Sequence, residues 1–64
     1  MIMEKKLLNE IANFFVNLYD EELEELTSDA IYEWWSINWS NWVDETNQDI
    51  YNEVEKAIWD KINK

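Results

Sequence analysis

Sixty-four residues set the scale of one small domain, 1–64, and 15 acidic side chains against 5 lysines leave it a formal charge of −10. With no Cys and no His there is no disulfide framework, no thiolate nucleophile, no imidazole base and no soft metal site, so most enzyme chemistry is excluded. An apolar fraction of 47% is too high for a solvated tail and implies a folded chain. A chain this short buries only about 60% of its unfolded surface, however, so help from a partner or a second copy is expected.

Met3, Leu7, Leu8, Ile11, Phe14, Phe15, Leu18 and Tyr19 fall on one stripe at helical spacing, which predicts an amphipathic helix over 3–19. Asp20 can cap the segment after it. Leu23 and Leu26, three apart inside an acidic run, predict a short helix over 20–26 or a continuation of the first. Thr27, Ser28 and Asp29 form a turn-and-cap cluster ahead of the aromatic segment, and Thr46 with Asn47 does the same ahead of the last one.

The stretch from Ala30 to Val43 fits both a strand alternation and a helical spacing. A lone strand would have no sheet to join, so a helix over 29–44 is expected. On it Trp34, Ile31, Trp42, Trp35, Trp39, Tyr32 and Val43 fan over about 180°, wider than a small bundle needs. Asn38 falls inside the fan and should find a hydrogen-bond partner. In the last segment Ile50, Val54, Ile58 and Ile62 recur every fourth residue, with Tyr51 and Ala57 beside them, predicting a helix over 47–62. Lys56, Lys61 and Lys64 suit its negative end. The fold class is therefore all-α, a small bundle of three to four short helices.

The chain has neither Gly nor Pro, so left-handed backbone positions would fall to Asn, Asp or Ser. Missing Gly, Pro and Arg with eight Asn match AT-rich codon usage, as in a low-GC bacterium or its phage, whereas the five Trp run against that drift and call for a physical reason. No apolar run reaches the roughly 18 residues of a membrane span, and a net-acidic chain is repelled by anionic lipid, so no membrane role is expected. The expected location is the cytoplasm of a bacterial host cell.

The most specific feature is electrostatic: from Leu7 to Glu55 there are thirteen carboxylates and no cation. Asp20, Glu21, Glu22, Glu24 and Glu25 fill five of six consecutive positions, where like-charged helix neighbours repel by about 0.2–0.5 kcal/mol per pair. A solubilising face is the plain explanation; a cationic partner that relieves the repulsion is the functional one. Carboxylates spaced along a helix approximate the phosphates of a nucleic-acid strand, so a small acidic fold could occupy the basic groove of a nucleic-acid-binding protein. Direct nucleic-acid binding is not expected, because the aromatic face has no Arg or Lys beside it.

Candidate partner-binding residues are Asp20, Glu21, Glu22, Glu24, Glu25, Asp29, Glu33, Asp44, Glu45 and Asp49, with Tyr32, Trp34 and Trp59 as apolar anchors. Trp34 lies at the rim of its fan, and Trp59 about 100° beyond Ile58 at the edge of the Ile50, Val54, Ile58 stripe, so each fits an interface as well as a core. Ile31, Trp35, Trp39 and Trp42 read as core. No catalytic residue, metal ligand or cofactor is assigned: a calcium loop normally turns at Gly, and paired carboxylates need a cleft that raises one pKa.

In size and charge the chain resembles phage-encoded inhibitors such as the uracil-DNA glycosylase inhibitors and many anti-CRISPR proteins. The likeness is one of composition over the whole length and carries no residue roles. It implies a non-enzymatic inhibitor acting by DNA mimicry on a CRISPR effector, a DNA-repair enzyme or a polymerase. The alternatives are a homodimeric helical module that pairs through its Trp face, and an antitoxin or immunity protein against a basic nuclease.

Overall fold

Two side-chain caps without glycine or proline mark where the main helices begin. In the computed structural model, which describes residues 3–63, Thr27 Oγ1 accepts from the Ala30 N–H at 3.3 Å and Asn47 Oδ1 accepts from the Ile50 N–H at 3.0 Å. Three α-helices result: α1 (Lys5–Leu18), α2 (Ser28–Asn38) and α3 (Gln48–Ile62). A 3₁₀ helix, Asp20–Glu25, joins α1 to α2, and a 3₁₀ turn, Trp39–Asn41, comes after α2. There is no strand among the described residues, and the fold is all-α. Lys64 lies outside them.

The 20–26 segment is neither a continuation of α1 nor an α-helix. Asp-Glu-Glu-Leu-Glu-Glu-Leu has an apolar period of three, and a 3₁₀ helix has three residues per turn, so Leu23 and Leu26 share its inner edge and both are half-buried. Asp20 does not cap it; Tyr19 occupies that position without a side-chain bond. The helix after Thr27 is also shorter than expected, ending at Asn38 instead of 44. Ser36 Oγ donates to the Tyr32 carbonyl at 2.8 Å and Asn38 Nδ2 donates to the Trp34 carbonyl at 2.9 Å. Both side chains back-bond one turn, a pattern that weakens and bends helices, and the chain tightens into the 3₁₀ turn. Asn38 thereby finds the partner its position required. The turns need no left-handed residue either: none of the described residues has positive φ.

Packing runs through one core. Met3, Ile11, Ala12 and Phe15 from the first segment meet Ile31, Trp34 and Trp35 of α2 and Ile50, Tyr51, Val54 and Ile58 of α3. The Met3 N–H donates to Glu53 at 3.5 Å and Lys61 Nζ donates to Asn9 at 3.2 Å, so α1 and α3 lie side by side in the same direction. The second segment runs back against α3: Tyr51 OH donates to the Ser28 carbonyl at 3.1 Å and Trp35 Nε1 donates to Thr46 Oγ1 at 2.9 Å. The Cα radius of gyration, 10.9 Å, is what a globular chain of this length has.

The buried face of α1 is rotated by roughly 50° from the stripe the sequence outlines. Ala12, outside that stripe, is buried on the side facing α3, while Phe14 and Leu18, inside it, are 49% and 57% exposed. Ala12 has a small side chain, and it lines one groove together with Ala57 of α3. Phe14 and Leu18 are left on the flank.

Candidate functional site

The 3₁₀ period that turns Leu23 and Leu26 inward decides where the acid goes. Residues three apart eclipse one another, so Glu21 stands over Glu24 and Glu22 over Glu25, two rows with about 6 Å of rise between neighbours at about 2 Å per residue. Asp20, Glu21, Glu22, Glu24 and Glu25 are all exposed. Leu26 packs against the core and holds this ridge to the bundle.

The other candidate carboxylates are exposed too, on different elements. Asp29 sits in the first turn of α2 with Glu33 one turn on, Asp44 and Glu45 lie in the loop after the 3₁₀ turn, and Asp49 sits in the first turn of α3. Asp29 and Asp49 have a structural use where they stand, since a negative charge there complements the helix dipole. Among the described residues no cluster of Asp and Glu is placed to hold a metal ion.

The three aromatic candidates separate. Tyr32 is 54% exposed, its ring edge-on to Tyr51 with centroids 5.1 Å apart. Trp59 is half-buried against the core, and its Nε1 donates to Glu55 at 3.2 Å, so its polar edge is already satisfied within α3. Trp34 is only 5% exposed. It is the hub of the aromatic core, with Phe15 at 4.9 Å, Trp42 at 5.5 Å, Trp35 at 6.1 Å and Phe14 at 6.3 Å between centroids. It belongs to the core, because Phe14 and Trp42 cover the rim of the fan on which it lies. Of the residues expected in the core, Ile31 and Trp35 are fully buried, while Trp39 and Trp42 are half-buried at its margin.

Three features escape the sequence stripes. Ile37, 76% exposed on α2, falls outside the aromatic fan at 100° per residue, a signal the sequence did carry. Lys5, Lys6, Lys56 and Lys61 converge from both ends of the chain on one open groove of about 920 Å³ between α1 and α3, floored by Leu8, Ala12 and Ala57. The parallel pairing of these helices brings them together. A smaller pocket, about 260 Å³, opens where α2 meets the start of α3 and is lined by Tyr32, Trp35, Trp39, Thr46, Gln48 and Tyr51 with Ser36 and Asn47. Burial pushes the Tyr51 phenol there up to about 12, with Glu55, Asp29 and Tyr32 adding to the effect.

The charges are thus unevenly spread: a cation-free acidic surface lies over the 3₁₀ ridge, α2 and the loop before α3, and most of the lysines share one groove that Glu53 and Asp60 also line. No helix among the described residues is long and apolar enough to cross a membrane. No family model, curated protein or solved structure matches this chain, so no residue role is inherited from a relative.

Proposed function

We propose that the protein is a non-enzymatic inhibitor, encoded by a phage, that binds a basic nucleic-acid-binding protein of the bacterial host by presenting carboxylates in place of phosphates. The observation that carries this reading is the ridge Asp20–Glu25, whose inward leucines leave two exposed rows, Glu21 with Glu24 and Glu22 with Glu25. An acidic ridge releases the anions condensed on the partner's groove as it binds, the phosphate argument with its signs exchanged. Long-range attraction speeds encounter, and apolar contacts slow dissociation. Tyr32 and the flank formed by Phe14 and Leu18 offer that apolar contact without disturbing the core; Trp34 does not.

Capture of basic proteins from a bacterial lysate, with elution by a salt gradient, tests the reading. Replacing Glu21, Glu22, Glu24 and Glu25 by Gln should weaken capture by about tenfold or more and flatten its salt dependence. Unchanged capture by the amide variant, or recovery of acidic proteins only, would sink it.

A second reading is favoured by the exposed Phe14, Leu18 and Ile37: a homodimeric helical regulator whose acidic face serves only solubility. That dimer would join through these residues, because Trp34 is buried. Sedimentation at micromolar concentration separates the two. A monomer with salt-sensitive capture fits the inhibitor, whereas a dimer that Ile37→Glu dissociates fits the regulator.

A further inference from the structure

The 260 Å³ pocket between α2 and the start of α3 has a composition unlike the rest of this acidic surface. Tyr32, Ser36 and Trp39 succeed one another at steps of four and three along one face, so two aromatic rings border the opening, with Trp35 and Tyr51 buried behind them. The volume lies below the roughly 300–1,000 Å³ of small-molecule sites and suits the tip of one side chain. We propose that this pocket receives the guanidinium of an arginine from the protein's partner, held between the Tyr32 and Trp39 rings. The proposal rests on the inhibitor reading for the source of that arginine, and it names the contact by which a basic partner is anchored.

Aromatic faces carry the negative lobe of a quadrupole and attract cations, arginine more often than lysine. The guanidinium is planar, stacks on rings and presents a fork of donors that needs oxygens at the rim. Such oxygens are available. Gln48 Nε2 donates to Asn52 at 2.9 Å, which orients the amide and leaves its Oε1 as an acceptor, and Thr46 Oγ1 keeps a lone pair beyond the bond from Trp35. No charged side chain among the described residues lines the pocket, and the carboxylates close to its inner wall have the matching sign: Glu55 and Asp29 both act on the Tyr51 phenol, and Asp49 comes directly after Gln48 in sequence. Burial is the first cause of the raised Tyr51 phenol, and the charges of Glu55 and Asp29 add to it. The start of α3 contributes a positive dipole end, but Asn47 caps it and Asp49 stands in its first turn. An anion has no cation here to meet it.

The pocket can be tested without any partner. Nα-acetyl-arginine amide, its lysine counterpart and the neutral isostere Nα-acetyl-citrulline amide are titrated at constant ionic strength while the indole N–H resonances are monitored. Trp59, two turns along α3 from Tyr51, is the internal reference. Arginine should shift the Trp39 and Trp35 signals and leave Trp59 in place, with citrulline bound at least about fivefold more weakly and lysine between them. Tyr32→Ala, at an exposed position, should weaken arginine by about threefold or more with the helical signal intact. Equal shifts for arginine and citrulline, shifts as large at Trp59, or no change in Tyr32→Ala would overturn the proposal. Its failure beside intact salt-dependent capture would remove the pocket alone; loss of capture in the ridge amides beside a working pocket would remove the mimicry alone.

Discussion

Tyr51 shows how one side chain serves packing, hydrogen bonding and charge at once. Its ring lies in the core and its hydroxyl reaches the Ser28 carbonyl at 3.1 Å, tying α3 to the first residue of α2. Burial first, then Glu55 and Asp29, raise its pKa from 10.0 to about 12, so the neutral phenol is the form that the fold holds. A raised folded-state value means the stability is fully present below pH 10.0 and is lost as pH climbs through about 12, because the unfolded chain releases its proton first. Tyr51→Phe should therefore cost about 1 kcal/mol at neutral pH through the lost hydrogen bond. The gap between wild type and variant should close across that alkaline window, as thermal unfolding against pH would reveal. A gap that stays constant to pH 12 would show that neither burial nor the neighbouring charges raise the phenol. Trp34 gives the complementary lesson: its place at the rim of an idealised fan left interface and core equally open, and Phe14 and Phe15, brought over from α1, together with Trp42 place it in the core.

Two of the three α-helices, α2 and α3, begin at side-chain caps that can be read locally. Thr27 and Asn47 each satisfy an amide that the helix itself cannot, and Asp29 and Asp49 add charge of the favourable sign. Thr27→Ala and Asn47→Ala should each cost about 1 kcal/mol in denaturant unfolding, roughly additively, because the two caps serve separate helices. A loss near zero for Asn47→Ala would mean that packing of Ile50 and Tyr51 holds the start of α3 without its cap. Both caps were visible as Thr-Ser-Asp and Thr-Asn ahead of apolar periodic runs, as were all three α-helices. The early end of α2 was not. Its cause, back-bonding by Ser36 and Asn38, depends on side-chain rotamers that a periodicity count does not weigh. The acidic segment was legible in its leucine spacing, since a period of three belongs to a 3₁₀ helix as readily as to an α-helical edge.

Over the whole molecule, a charge of −10 is carried on a body of 30 × 21 × 17 Å. Exposed carboxylates at such spacing repel across distances comparable with the Debye length of about 10 Å at 0.1 M salt. Raising sodium chloride from about 0.01 M to about 0.15 M should therefore raise the unfolding midpoint, while the same change weakens capture of a basic partner. Opposite responses from a single titrant distinguish an acidic surface kept for binding from one that is merely tolerated. A midpoint that falls with added salt would mean that attraction between unlike charges outweighs the repulsion. The lysine groove belongs to this scale, since Lys5 and Lys61 come from opposite ends of the chain and line it together only because α1 and α3 lie side by side.

Composition, periodicity and capping residues determined the helical class, the three α-helices and the acidic character of the middle of the chain, because each is set by interactions over a few residues. Tertiary packing alone decided which side of α1 is buried, that Trp34 belongs to the core, that four lysines share a groove and that Tyr32 and Trp39 border a pocket. Those outcomes depend on how the helices pair, α1 with α3 along the groove that Ala12 and Ala57 line, and α2 against the same core. That choice is made between distant segments and leaves only a faint trace in the local order of residues.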